Sequence, residues 1–175
     1  YQTIVFLHQH PYSPFIKKDT TKLIVGTLPP PRFSTGELLE KDVDFCYGSY
    51  YNSLWLFIDK IHNLGLRYDN STEAIEERKQ FLINHKIGVC DIVESAHREK
   101  IDASDLGMTN IKLRNILGYL KQYPNIEVEI QGHVCCTNDD DGVDNDRILF
   151  SLHESSKLYC NYYVHAAAAA AAVAA

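Results

Sequence analysis

The clearest signal in the chain is a short apolar run, Leu23-Ile24-Val25, with no polar alternation. It predicts a strand covered on both faces, and it breaks directly into Gly26-Thr27-Leu28-Pro29-Pro30-Pro31. From about Asn52 to His62, Leu54, Ile58 and Ile61 recur at helical spacing with Trp55 on the same side, and Gly65 ends the segment. Asn70 with Glu73 makes a capping-box-like start for a helix reaching about Asn84, with Ile75, Phe81 and Leu82 inward. Ile87-Gly88-Val89-Cys90-Asp91-Ile92-Val93 is again a strand or strand end. A further helix is predicted from Asn110 to Tyr123, with Ile111, Ile116, Leu117 and Leu120 as its stripe and Pro124 as its stop. Ile126, Val128 and Ile130 alternate as a strand, and Leu158 to His165 reads as a last one.

Strands alternating with helices predict an α/β fold with a mostly parallel central sheet and helices on both faces. Ligands in such sheets sit beyond the carboxyl ends of the strands. The Gly26 loop is at one such end, and Asp91 lies in or just after another. There is no internal repeat and no long linker, so residues 1–165 read as one domain. The alanine-rich run 166–175 does not read as an evolved helix end and is set apart from it.

At 175 residues, 45% apolar and 23% charged, the chain has the composition of a globular protein with a full core. No apolar run is long enough to span a membrane, and Tyr1-Gln2-Thr3-Ile4-Val5-Phe6 lacks the basic start of a signal peptide. Cys46, Cys90, Cys135, Cys136 and Cys160 are odd in number and irregularly spaced, which favours a reducing, intracellular setting. The net charge of −6 argues against an extended phosphate-binding face. Much of it is concentrated at Asp139, Asp140, Asp141, Asp144 and Asp146, so a single site engaging few phosphates would need only a local positive rim.

Two stretches could carry chemistry. Glycine permits close approach and three prolines stiffen the loop from Gly26 to Pro31. Phe45, Tyr47, Tyr50 and Tyr51 offer stacking faces just before Asn52, whose amide both donates and accepts. Asn52 is equally suited to capping the helix it precedes. His8 and His10, close to the amino end, read as surface residues. His133, Cys135 and Cys136 lack the spacing of a metal clamp. The aspartate-rich stretch cannot be an EF-hand, because setting Gly142 at the sixth position puts Ile148 where a bidentate acid is required. No metal or other cofactor is expected.

In combination these segments resemble the uracil-DNA glycosylase superfamily. The residues that carry the resemblance are Leu23-Ile24-Val25-Gly26-Thr27-Leu28-Pro29 and Tyr47-Gly48-Ser49-Tyr50-Tyr51-Asn52-Ser53-Leu54-Trp55, followed by Ile87 to Ser95 and Asp102-Ala103-Ser104-Asp105-Leu106. The nearest branch includes hypoxanthine (deoxyinosine) DNA glycosylases. The resemblance implies a three-layer α/β/α sandwich that hydrolyses the N-glycosidic bond of a deaminated base flipped out of DNA, working as a monomer. It also implies that Gly26, Thr27, Leu28 and Pro29 form a loop over base and deoxyribose. Tyr47 or Phe45 would stack on the base beside Gly48, Asn52 would be the catalytic amide, and Asp91 would brace the pocket. His165 stands where the last strand ends, near the family's carboxy-terminal loop. The chain departs from the family's pattern at Leu28, where an Asp or Asn usually activates water, and at Ser49-Tyr50, where His-Pro is usual. Those departures leave two other readings open: a catalytically inactive nucleic-acid or protein binding module, and an enzyme acting on free nucleosides or nucleotides.

Overall fold

The computed structural model describes residues 5–99, 107–126 and 128–131. In chain order the elements are β1 (Phe6–Gln9), β2 (Lys22–Val25), α1 (Pro31–Thr35), α2 (Ser53–His62), α3 (Thr72–Asn84), β3 (Ile87–Val89), β4 (Val93–Arg98), β5 (Thr109–Leu113), α4 (Ile116–Gln122) and β6 (Val128–Gln131). Among the described residues the strands form two three-stranded sheets rather than the single, mostly parallel sheet expected. One is parallel, in the order β3-β2-β6; the other, β1-β4-β5, is antiparallel. The reason lies in β4. It buries Val93, Ala96 and Arg98 but leaves Glu94 exposed, the half-covered pattern that antiparallel pairing tolerates.

β2 is covered on both faces. Ile24 packs into one cluster with Val43, Phe45, Leu54, Trp55, Phe81, Leu82 and Val89, which includes the inner sides of α2 and α3. Leu23 and Val25, pointing the other way, join Cys90, Ile92, Val93, Ala96 and Ile116. Burying one large apolar side chain of this kind is worth about 1.5–3 kcal/mol, so these two clusters hold the parallel sheet in place.

The helices start where polar side chains satisfy free backbone donors. Asn52 Oδ1 accepts from Leu54 N–H at the head of α2, and Ser71 Oγ, rather than Asn70, accepts from Ala74 N–H at the head of α3. Asn70 instead donates its amide to Leu39 O and Asp42 O. The helix predicted from Asn110 begins only after Asn115, which caps α4 through Gly118 N–H. Residues Thr109–Leu113 pair with β4 instead, so available strand pairing overrides the helical spacing of Ile111 with Ile116. The predicted strand from Leu158 to His165 lies outside the described residues. Among the described residues, no helix is long and apolar enough to cross a membrane.

One buried histidine gives the fold a pH dependence. His8 on β1 is 1% exposed, and its Nδ1 accepts from Arg98 Nε at 2.8 Å. Burial, reinforced by the positive charge of Arg98 and by His10, pushes the imidazole down to about 4. The folded state therefore refuses a proton that the unfolded chain accepts below its ordinary 6.5. The resulting stability is fully present above that value and is lost as pH falls toward about 4. Unfolding free energy measured across this window should rise with pH more steeply in the native protein than in His8→Gln, by up to about 1.4 kcal/mol per pH unit. Equal slopes would refute this role.

Candidate functional site

The parallel ladder runs on past the ends of its strands. Cys90 N–H donates to Ile24 O at 3.0 Å and Ile92 N–H to Gly26 O at 2.8 Å. This continuation sets Asp91, just after β3, beside Gly26, just after β2. Gly26 N–H donates to Asp91 Oδ1 at 3.0 Å, and Tyr47 Oη donates to the same oxygen at 2.9 Å. Asp91 Oδ2 lies 2.6 Å from His10 Nε2, and both side chains are almost wholly buried.

Gly26 is needed for this convergence. A Cβ there would stand 2.1 Å from Tyr47 Oη and 2.9 Å from Asp91 Oδ1. Tyr47 reaches the carboxylate from a turn with φ +58, uncommon outside glycine and a mark of a tightly held segment. The turn closes through Val43 N–H to Gly48 O at 2.8 Å and Gly48 N–H to Phe45 O at 2.9 Å. Burial, with the Asp91 carboxylate alongside, holds the Tyr47 hydroxyl well above the usual phenol range, so it stays a donor.

The predicted site residues separate into two groups. Gly26, Tyr47 and Asp91 are in direct contact, and Gly48 shapes the turn that delivers Tyr47. Thr27, Leu28 and Pro29 continue the loop half-buried, with Leu28 packed against the Leu23–Val25 side of the core, and Pro31 already belongs to the first turn of α1. Phe45, expected as a stacking face, is a core residue. It is 6% exposed, with its ring centroid 5.8 Å from Phe15 and 6.5 Å from both Tyr12 and Trp55, so its faces are spent on packing. Asn52 gives one lone pair of its carbonyl oxygen to the cap of α2, which leaves its NH2 and the second lone pair for any other group. His165 lies outside the described residues.

Sequence reasoning missed His10 and read it as a surface residue. Its partner stands 81 positions away, and no local spacing announces the pair. Beyond His10 lies an open cleft of about 800 Å³ lined by Pro11, Tyr12, Arg114, Asn115, Tyr119 and Gln122, among others. The guanidinium of Arg114 donates to Tyr12 O and so fixes one wall of the cleft. Neither described cysteine is a nucleophile at neutral pH. Burial pushes the Cys90 thiol up to about 11 against the opposing pull of Arg114, and pushes Cys46 higher still.

The chain resembles the solution NMR structure of a protein from Methanosarcina acetivorans that is proposed to be a uracil DNA glycosylase. The TM-score is 0.51, at 16% identity, over 72% of this chain and 70% of that one. At that identity the likeness is one of fold. No protein-family profile and no curated protein matches the chain. What is shared is a mixed α/β fold, and it says nothing of activity or of the hypoxanthine branch.

Proposed function

We propose that the chain is a DNA glycosylase-like hydrolase that cleaves the N-glycosidic bond of a flipped deaminated base, hypoxanthine or uracil, in base-excision repair. The observation that carries this reading is the meeting of Gly26, Tyr47 and Asp91 at the carboxyl ends of β2 and β3. That is where open α/β sheets bind ligands, and these are the segments in which the motifs resemble the superfamily. As such a bond breaks, positive charge grows on the sugar and negative charge on the departing base. Donors aimed at the base lower that barrier. The loop from Gly26 to Pro29 covers base and deoxyribose. Asp91 braces that loop rather than attacking, because three donors already occupy its carboxylate. The Asn52 NH2 donates to the base or to the attacking water. Its oxygen already accepts from Leu54 N–H, so it has one lone pair left for that water.

Asn52→Ser separates the two duties of this residue. Serine still caps a helix but has no amide to donate. With labelled single-stranded and duplex oligonucleotides carrying uracil, hypoxanthine or xanthine, the native protein should release a base. Asn52→Ser should be slower by about 100-fold or more while melting within a few degrees of it. Base release at the native rate by Asn52→Ser would remove the amide from the reaction.

A second reading has its own support. Leu28 stands where the resembled enzymes activate water, and the Asn52 oxygen already accepts the capping bond from Leu54 N–H. Both fit a module that binds DNA without cutting it. Retained oligonucleotide binding with no base released from any substrate would establish that reading instead.

A further inference from the structure

We infer that His10 is a positioning residue for the Gly26 loop, acting through Asp91. This rests on the glycosylase reading for its consequence in catalysis, but not for its geometry. A histidine 2.6 Å from a buried carboxylate looks at first like the base of an acid–base pair. The other ring nitrogen rules that out. Nδ1 accepts from Tyr12 N–H at 3.1 Å, so the ring's proton sits on Nε2 and points at Asp91, and no lone pair is left to take a proton from water. His10 is itself held on both sides. Its backbone N–H donates to Glu94 O at 2.8 Å, and the Tyr12 carbonyl is clamped by Arg114.

The result is one hydrogen-bonded chain. It runs from Tyr12 N–H through the imidazole to Asp91 Oδ2, then from Asp91 Oδ1 to Gly26 N–H and Tyr47 Oη. Among the described residues the carboxylate has three donors on its two oxygens, and only His10 engages Oδ2. Without that donor the carboxylate can rotate, and the two groups on Oδ1 move with it. Those two groups set the height of the Gly26 loop and the tilt of Tyr47. Supporting hydrogen bonds of this type typically change activity by about 10–100-fold where they orient a working group.

The test compares His10→Ala and His10→Gln with the native protein by two independent readouts. The first is the amide-proton NMR shift of Gly26, which reports its bond to Asp91 and requires no activity. It should move in His10→Ala and return most of the way in His10→Gln, whose side-chain amide restores an N–H donor. The second is steady-state base excision, corrected for the folded fraction. In His10→Ala, kcat should fall about 10–100-fold with KM changed less than threefold, and His10→Gln should recover most of it. An unmoved Gly26 signal in a folded His10→Ala would overturn the inference. So would equal losses in the two variants, or a loss confined to thermal stability. If the native protein excises nothing, the glycosylase reading fails, while the Gly26 shift still decides whether His10 holds the loop.

Discussion

Gly48→Ala should leave little or no folded protein at 37 °C. A Cβ at this position would lie 1.8 Å from the Val43 carbonyl oxygen and 2.7 Å from that of Phe45, both backbone atoms with no rotamer to yield. Relief requires opening the turn that Gly48 closes, with loss of its bonds to Val43 N–H and Phe45 O. Overpacking commonly costs about 1–3 kcal/mol when side chains can adjust, and two lost backbone bonds add about 1 kcal/mol each. The sum is a large part of the 5–15 kcal/mol typical of a domain. Gly36→Ala is the matched control. Its φ is +78, but nothing lies within 4 Å of the added carbon, so only backbone strain of about 1–2 kcal/mol applies. Thermal unfolding of the two variants should differ widely. A Gly48→Ala protein that melts with Gly36→Ala would mean that the Val43–Gly48 turn is not as tight as described. Any surviving Gly48→Ala fold should also show a displaced Tyr47, since that residue reaches Asp91 from the same turn.

How much of this could be read along the chain depends on the range of the interaction concerned. The strand at Leu23–Val25 and the helices after Asn52 and Ser71 rest on runs of neighbouring residues, so periodicity reveals them, although the cap of α3 is Ser71 rather than the Asn70 expected. Gly26 and Asp91 were legible as strand-end residues because apolar runs stop there. The antiparallel sheet was not, because β1 exposes Leu7 and buries His8, the inverse of what residue type suggests. Its stability comes from pairing with β4 and from the His8–Arg98 contact. Phe45 could not be told from a ligand-stacking ring, because an aromatic beside tyrosines has the same local context in a core as in a cleft. Asn52 was read with both roles open, and the cap is the one that local geometry supplies. Two side-chain pairs, His10 on Asp91 at 2.6 Å and Arg32 on Asp42 at 2.7 Å, depend for their meeting on the whole fold.

Asp42→Ala should destabilise the protein by about 3–5 kcal/mol, the usual result of removing one partner from a buried ion pair. The Asp42 side chain is fully buried and accepts from four donors: Arg32 Nε at 2.7 Å, Arg32 Nη2 at 3.1 Å, Leu39 N–H at 2.9 Å and Tyr50 N–H at 3.1 Å. Arg32 also donates to Ser49 Oγ at 2.8 Å, so the cluster ties α1 to the segment that carries Tyr47 and Asn52. Burial works against the charged form, but the Arg32 guanidinium and the two backbone donors outweigh it and hold the carboxyl below its ordinary 3.8. Arg32→Ala should cost less than Asp42→Ala. Water can reach the place of a side chain that is 22% exposed, and the two backbone N–H groups keep their acceptor. The pH dependence separates the two variants further. With a lowered carboxyl, the native protein draws stability from Asp42 at pH values above 3.8 and loses it as pH falls through the folded-state value. Without Arg32, burial is opposed only by the two backbone donors and that value moves up, so the stability gap between the native protein and Arg32→Ala should narrow in acid. Denaturant unfolding from neutral pH down to about 3 measures this directly. A gap that stays constant or widens would show that the guanidinium contributes packing rather than charge, and that the loop bearing Tyr47 is held by something other than this carboxylate.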